Sequence, residues 1–358
     1  PATAMASRSD YGMSEYTEVE RPFLDQLAAL GWTVIDQGAG VPQNAAPSLR
    51  GNFREWLLPG VFDAAVRAIN LTGDGQPWLT DRQLEDLRGQ LLRQPNRTLL
   101  EANEAVQALL FKAQVDVNER TGERDPVVRL IDFHTPANNQ FHAINQFRID
   151  TPGCVRQFII PDIVLFVNGI ALAVVECKKG SEVCANPMQE AFVQLQRYMR
   201  RRADTAHAGL KEGEPKLFHS NLLLIRSCGL EADYGSITSG EEHFYAWKTL
   251  HPQDDAALQG MNAQQQLVAG MLNRRNLLQI LRTSAVFMDT DAGPRIKVVC
   301  RYQQFRAAHK IAQRLRTGAT ALARSGVVWH TQGSGKSLTM VFLARMLRAS
   351  TDLNDYKI

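Results

Sequence analysis

The sequence predicts an α/β chain, in which a mixed sheet flanked by helices is followed by the opening of a second α/β unit. Three observations predict this. Helical periodicity dominates residues 53–112, and strand-like runs take over from about residue 113. Two β-branched and aliphatic runs, Ile163 to Val167 and Ile170 to Val175, flank Asn168-Gly169. Asn-Gly between apolar runs signals a two-residue hairpin, because both central residues must take positive φ. Residues 326–348 then read as strand, glycine-containing turn and amphipathic helix.

The 358 residues leave room for two domains, at roughly 150 residues each. The division expected is 13–265 and 266–358, with Asp-Thr-Asp-Ala-Gly-Pro at 289–294 the clearest linker signal. The first dozen residues, PATAMASRSDYG, read as an expression-vector remnant ahead of a start at Met13. The net charge of +3 gives no global basic field, so any nucleic-acid contact must come from local patches. Five scattered cysteines with no C-x-x-C argue for a reducing cytoplasm and against disulfides or structural zinc. The histidines show no H-E-x-x-H spacing, and no apolar run nears the roughly 18–20 residues of a membrane helix.

Taken in order, residues 17–30 place Val19, Phe23, Leu27 and Leu30 at helical spacing, with Gly31 to end the helix. Strand-like WTVI follows. Glu20 has two readings: acidic member of a capping box with Thr17, which Pro22 disturbs, or a carboxylate offered to a site. Helices are expected in NFREWLLPGVFDAAVRAIN, TDRQLEDLRGQLL and TLLEANEAVQALLF, and strands in VVRLIDF and NQFHAINQFRI. After the central hairpin comes a helix from Pro187 to about Ala203, with Met188, Phe192, Leu195 and Met199 as its buried stripe. Gln194 and Tyr198 share its flank, and Arg197, Arg200, Arg201 and Arg202 form either a phosphate grip or a solvated face. NLLLIRS reads as a buried strand, HFYAWKTL as exposed aromatics on a domain edge, and residues from about 261 as helix.

The chemistry sits at the hairpin's ends. Closing the ribbon brings Asp162 towards Glu176, Cys177 and Lys178. Two carboxylates suit a hard cation such as Mg²⁺, with the Cys177 carbonyl as a third oxygen. Glu176 and Lys178 leave the same face of the strand, so Lys178 can orient an attacking water and steady transition-state charge. A regular ladder from Val167–Ile170 would set Asp162 opposite Val175, one place out. An irregularity near Pro161, which lacks an N–H, is expected to correct this.

Asp162, Glu176 and Lys178 at this spacing resemble the motif of the PD-(D/E)xK nucleases, whose fold is a mixed sheet flanked by helices. The resemblance implies that Glu20 is an accessory carboxylate on the first helix. It also implies that Gln194 and Tyr198, as a Gln-x-x-x-Tyr after the ExK strand, support the site and the DNA backbone.

In the second unit, Gly333-Ser334-Gly335-Lys336-Ser337 resembles a Walker A phosphate loop. Its glycines let backbone N–H groups approach phosphates at a helix N-terminus. Lys336 would reach the β/γ-phosphates and Ser337 would ligate the nucleotide's Mg²⁺. His330 stands where the strict pattern has its first glycine, a variant similar to motif I of superfamily 2 helicases with their RecA-like motor domains. Arg301-Tyr302-Gln303 resembles the adenine-reading segment ahead of that motif, with Gln303 on the base. The closing DYKI reads as the start of a further strand, so the motor is expected to continue.

The two motifs in this order resemble the restriction (R) subunit of type I restriction-modification enzymes. Supporting segments are VERPFLDQLAALGW, NNQFHAINQFR, VNGIALAVVECKKG and RYQQFRAAHKI. The resemblance implies Mg²⁺-dependent cleavage of double-stranded DNA, ATP-driven translocation, and assembly with methyltransferase and specificity subunits. The alternatives are a RecB-like or repair nuclease-helicase and a non-catalytic ATP-binding DNA clamp.

Overall fold

The computed structural model describes residues 14–182, 184–202, 210–291 and 293–353. Met13 and the whole of the closing DYKI therefore lie outside the described residues. Six strands form one mixed sheet: β1 (Thr33–Ile35), β2 (Phe141–Asn145), β3 (Ile163–Val167), β4 (Ile170–Cys177), β5 (Leu223–Ser227) and β6 (Ala232–Gly235). They lie side by side in chain order. β1 runs parallel to β2, and β4 parallel to β5, while the other neighbours are antiparallel. Parallel neighbours need a long crossover, and both have one. Helices α2 (Pro59–Ile69), α3 (Asp81–Leu92) and α4 (Leu99–Lys112) fill the first, and α5 (Pro187–Tyr198) fills the second.

Local chemistry sets the helix starts. Thr80 with Gln83, and Thr98 with Glu101, close reciprocal capping boxes on α3 and α4. The helix expected from residue 53 begins only at Pro59, because a proline ring fits the first helical position and not a helix interior. Of VVRLIDF only Val127–Val128 pairs, with Ala113–Gln114. Downstream the backbone is satisfied by side chains instead: the Asp132 carboxylate accepts from the His134 and Thr135 N–H groups.

The hairpin turn is the one its sequence predicts, with φ of 49° at Asn168 and 77° at Gly169. The turn also docks inward. Leu58 N–H donates to the Gly169 carbonyl at 2.9 Å. A Cβ at Gly169 would lie 2.6 Å from the Leu58 carbonyl and 2.8 Å from the Phe62 nitrogen. Gly169→Ala is therefore expected to lose about 2–4 kcal/mol, from left-handed strain plus a backbone clash. Urea unfolding would show this as a lower midpoint at unchanged slope.

Both sheet faces are buried. Ile163, Leu165 and Val167 of β3 belong to one apolar cluster, and Val164 and Phe166 to the other. On β4 the alternation breaks: Leu172 and Ala173 both face the first cluster. Val167 pairs with Ile170 and Phe166 with Ala171, but Leu165 pairs with Ala173. The expected irregularity exists, yet it is a bulge at Leu172 and not a bend at Pro161. An extra residue is tolerated here because an apolar side chain finds cover on either side of this sheet.

Beyond the sheet, α6 (Ala263–Met271) and α7 (Arg274–Thr283) precede an antiparallel hairpin, β7 (Ala285–Thr290) and β8 (Gly293–Val299). This corrects the linker expected at 289–294, since a hairpin tip has the same Asp- and Gly-rich composition as a linker. Trp247, expected on an exposed edge, is 1% exposed and sits between Tyr234 and Phe305. Its indole N–H is satisfied by the Thr249 carbonyl, so the ring can be buried. Helices α8 (Tyr302–Thr317) and α9 (Lys336–Ala349) pack through Ala308, Ala312, Met346 and Leu347. The strand expected at 326–330 does not form among the described residues, and Trp329 is 89% exposed. No described strand lies beside this run to pair its backbone.

Candidate active site

Because Ile163 pairs with Val175, the residues just beyond them, Asp162 and Glu176, come opposite one another and emerge on one face. Asp162 Oδ2 accepts from the Cys177 N–H at 2.7 Å, which locks the carboxylate against the end of β4. Lys178 Nζ lies 2.9 Å from Glu176 Oε1, 3.5 Å from Asp162 Oδ2 and 2.7 Å from the Cys177 carbonyl oxygen. The ammonium thus sits among the three oxygens that the sequence offers to a cation. Glu176 Oε2 is buried with no hydrogen-bond partner.

The electrostatics follow from burial. Glu176 is pushed up to about 8 by burial and then by the Asp162 charge, against the pull of Lys178. Burial opposes the charge on Lys178, but Asp162, Glu176 and Glu15 together hold its pKa well above the ordinary lysine value. Burial also pushes the Cys177 thiol up, so its sulfur stays protonated and the backbone carbonyl is what it presents.

Glu20 does not form a capping box with Thr17. A π-helical turn (Tyr16–Glu20) runs directly into α1 (Arg21–Ala29), the Thr17 hydroxyl donates to the Ser14 carbonyl at 3.2 Å, and Pro22 falls in the first turn of α1. The Glu20 oxygens instead accept from Asn145 Nδ2 at 2.7 Å and Gln146 Nε2 at 2.9 Å. Burial, followed by the charge of Asp162, raises its pKa to about 9.

Glu15 is the acid that sequence reasoning missed. Its Oε1 lies 3.4 Å from Lys178 Nζ, and its Oε2 accepts from the Lys179 N–H at 3.1 Å. Burial and then, partly offset by Lys178, the Asp162 charge raise its pKa. Residues five apart diverge on an α-helix, whereas the wider π turn brings them nearer to one side, and the charge of Asp162 bears on both Glu15 and Glu20. The acidic spacing in EYTEVE was the available signal, but only the π turn gives it meaning. Among the described residues, no three His, Cys, Asp or Glu side chains converge closely enough to hold a metal by themselves. The site offers two facing carboxylates and a carbonyl, with Glu15 and Glu20 behind them.

Helix α5 buttresses this centre. Asn186 caps it and Pro187 opens it. Its buried residues are Ala191, Leu195, Arg197 and Tyr198, with Met199 buried just past its end, while Met188 and Phe192 of the stripe expected are only half-buried. Gln194 Nε2 donates to the Tyr198 hydroxyl at 2.9 Å, which donates in turn to the Ile160 carbonyl at 2.8 Å. The two residues thus brace the segment that delivers Asp162. Burial, then the charges of Glu176 and Asp162, push the Tyr198 hydroxyl up and keep it a donor. The arginine run is tied to the protein even where Arg200 and Arg201 remain exposed. Arg200 donates to the Glu212 and Gly213 carbonyls, Arg201 to the Ile237 carbonyl, and Arg202 pairs with Glu212.

The phosphate-loop candidates lie apart from this centre. Gly333 and Gly335 have φ of 78° and 77°, and Gly335 leads directly into Lys336 and Ser337 at the exposed start of α9. Gln304 Nε2 donates to the Ser334 and Gly335 carbonyls, both at 3.1 Å. A Cβ on Gly335 would lie 2.4 Å from that nitrogen. Gln304, rather than its neighbour Gln303, therefore touches the loop, while Gln303 Oε1 is buried without a partner. Arg301 Nη2 donates to the Tyr245 hydroxyl at 2.6 Å. Tyr245, Arg301, Gln304, Gly333 and Gly335 line a cleft of about 560 Å³.

Residues 12–243 match the family described as type I restriction enzyme R protein N terminus, and residues 303–358 match the SWI2/SNF2 ATPase family. The chain is 28% identical over 347 residues to a type I restriction enzyme HindI endonuclease subunit from Haemophilus influenzae, covering 96% of this chain and 31% of that one. It is 25% identical over 363 residues to a putative type I restriction enzyme MjaIXP endonuclease subunit from Methanocaldococcus jannaschii, covering 96% and 32%. A type I restriction enzyme endonuclease subunit from Staphylococcus aureus strain MSSA476 is 26% identical over 353 residues, covering 98% and 31%. The chain spans about a third of the length of these curated relatives. No helix among the described residues is long and apolar enough to cross a membrane.

Proposed function

This chain belongs to the type I restriction enzyme R protein N-terminal family, and from that premise we propose that it carries a PD-(D/E)xK nuclease centre followed by the opening of a RecA-like, ATP-driven motor. The substrate of the centre is double-stranded DNA, cut with Mg²⁺. The partners of the full protein are the methyltransferase and specificity subunits of a restriction complex, and its five free cysteines suit the cytoplasm. The observation that carries this reading is that Asp162, Glu176 and the Cys177 carbonyl face one cationic nitrogen, with Glu176 Oε2 left unpartnered.

Two carboxylates and a carbonyl are a fitting oxygen set for Mg²⁺, which when bound would polarise the phosphate and lower the pKa of an attacking water. Asp162 and Glu176 would hold it. Lys178, displaced from the centre of that set, keeps its charge and would orient the water and neutralise the developing negative oxygen. Tyr198 and Gln194 hold the Ile160 carbonyl and so keep Asp162 in register. In the motor unit, the backbone N–H groups of Gly333 to Gly335 would cradle phosphates, with Lys336 and Ser337 at the helix start.

The test is a melting curve against pH, with and without Mg²⁺. Glu176 and Glu20 have raised folded pKa values, so the native state holds protons that the unfolded chain releases above about pH 4.5. Their contribution to stability is present at low pH and is lost as pH rises towards about 8 and 9. Without metal, the melting temperature is expected to fall over that range. Mg²⁺ binds the ionised form, so it should restore stability increasingly with pH, by about 2.7 kcal/mol at a hundredfold excess over Kd. Glu176→Gln should remove most of the Mg²⁺ effect. A Mg²⁺ response that survives this substitution sinks the assignment.

A further inference from the structure

Helix α5 carries a cation that the cleavage centre does not use. Arg197 is 6% exposed, and its Nε and Nη1 are buried with no acceptor. The Tyr198 ring, 5.2 Å from the guanidinium, covers one side of it. A buried guanidinium without an anion is costly, and folds keep one where a ligand completes it. Its neighbours make the shortage worse. Arg202 engages Glu212 through two hydrogen bonds, of 2.7 Å and 2.5 Å, so that carboxylate is already taken. Arg156 projects from the exposed loop between the short strands Ile149–Asp150 and Phe158–Ile159. Burial, and then the like charges of Arg197 and Arg202, hold Arg156 below the usual arginine range. Of the charged groups that bear on Arg156 among the described residues, Arg197 and Arg202 repel it and Glu212 attracts it.

We propose that Arg156 and Arg197 form a subsite for a backbone phosphate of the DNA substrate, next to the phosphate being cut. The proposal rests on the nuclease reading above. Two links place it beside that centre. Arg197 is the chain neighbour of Tyr198, whose hydroxyl donates at 2.8 Å to the Ile160 carbonyl, two residues ahead of Asp162. Arg156 precedes Asp162 by six residues, a span of at most about 20 Å. A phosphodiester suits the subsite because a planar guanidinium fork binds two phosphate oxygens at once, and one anion can be shared by the exposed Arg156 and the buried Arg197. Such a contact reads no base, and it sets the register of the strand over the carboxylates.

The test measures DNA binding by the full-length protein in EDTA, by fluorescence anisotropy from 50 to 200 mM salt. Arg156→Gln is expected to weaken binding about fivefold to tenfold near 100 mM salt, and to flatten the slope of log K against log salt by about 0.9. Arg197→Met should do the same with the melting temperature unchanged or raised, because it removes an unpaired buried charge. Unchanged affinity and slope in Arg156→Gln overturn the proposal. So does an Arg197→Met protein that melts lower but keeps its salt slope, which would mark a structural arginine. Asp162→Asn in the same preparation separates the two readings. If that variant still cuts DNA, the nuclease centre is wrong; if it does not cut while Arg156→Gln binds normally, only the phosphate subsite is wrong.

Discussion

Asp162→Asn in the full-length protein is expected to cut DNA at least about a hundredfold more slowly, while folding normally and keeping its ATPase activity. The substitution is nearly isosteric. The amide oxygen can still accept from the Cys177 N–H, and Lys178 keeps Glu176 and the Cys177 carbonyl. What disappears is one of the two carboxyl groups that face each other across the ribbon. Asp162 is also the group whose charge bears on Glu176, Glu20 and Glu15 alike, so its loss relieves all three. The melting temperature above pH 7 should therefore rise or hold, and its fall with pH should become shallower. Normal cutting by this variant would remove the centre from the hairpin.

Lys178→Met should be the most destabilising change at the site and should also abolish cutting. Glu176 is 1% exposed, and its ionised form is tolerated chiefly because Lys178 Nζ lies 2.9 Å away. Removing the ammonium leaves crowded, buried carboxylates without a counter-charge, at a cost of about 3 kcal/mol at pH 8. At pH 5 Glu176 is protonated and needs no partner, so most of the loss should vanish. Denaturant unfolding at the two pH values reads the difference directly. An equal loss at both would mean that Lys178 stabilises by packing alone. The two variants thus move stability in opposite directions while sharing one effect on cleavage, a pattern that general misfolding cannot produce.

Much of this centre was legible in the chain itself. Asn168-Gly169 dictates its turn, because few other dipeptides tolerate two positive φ angles in a row. The acid–acid–lysine spacing marked Asp162, Glu176 and Lys178, and the Gln194–Tyr198 pair followed from a four-residue helical step. The turn at Gly333 and Gly335 was readable from its glycines and the helix after them. The rest was hidden for identifiable reasons. The arginines at the end of α5 and just past it looked like a surface charge run, since partners such as Glu212, Gly213 and Ile237 are distant in sequence. Gln304 was not singled out, because only the rotation of α8 brings its side chain onto the Ser334 and Gly335 carbonyls.

Residue order alone determined the hairpin, the three groups at its mouth, the capped helices and the glycine turn ahead of Lys336, because each depends on neighbours a few positions away. Tertiary structure alone decided which side of the sheet those groups share. A strand alternates with a period of two, so the single extra residue at Leu172 moves Glu176 from the opposite face to the face of Asp162. No local pattern reveals that bulge, because leucine is equally at home on either face of a sheet covered on both sides. The same holds for Glu15 and Glu20, which meet the site from the two ends of one π-helical turn.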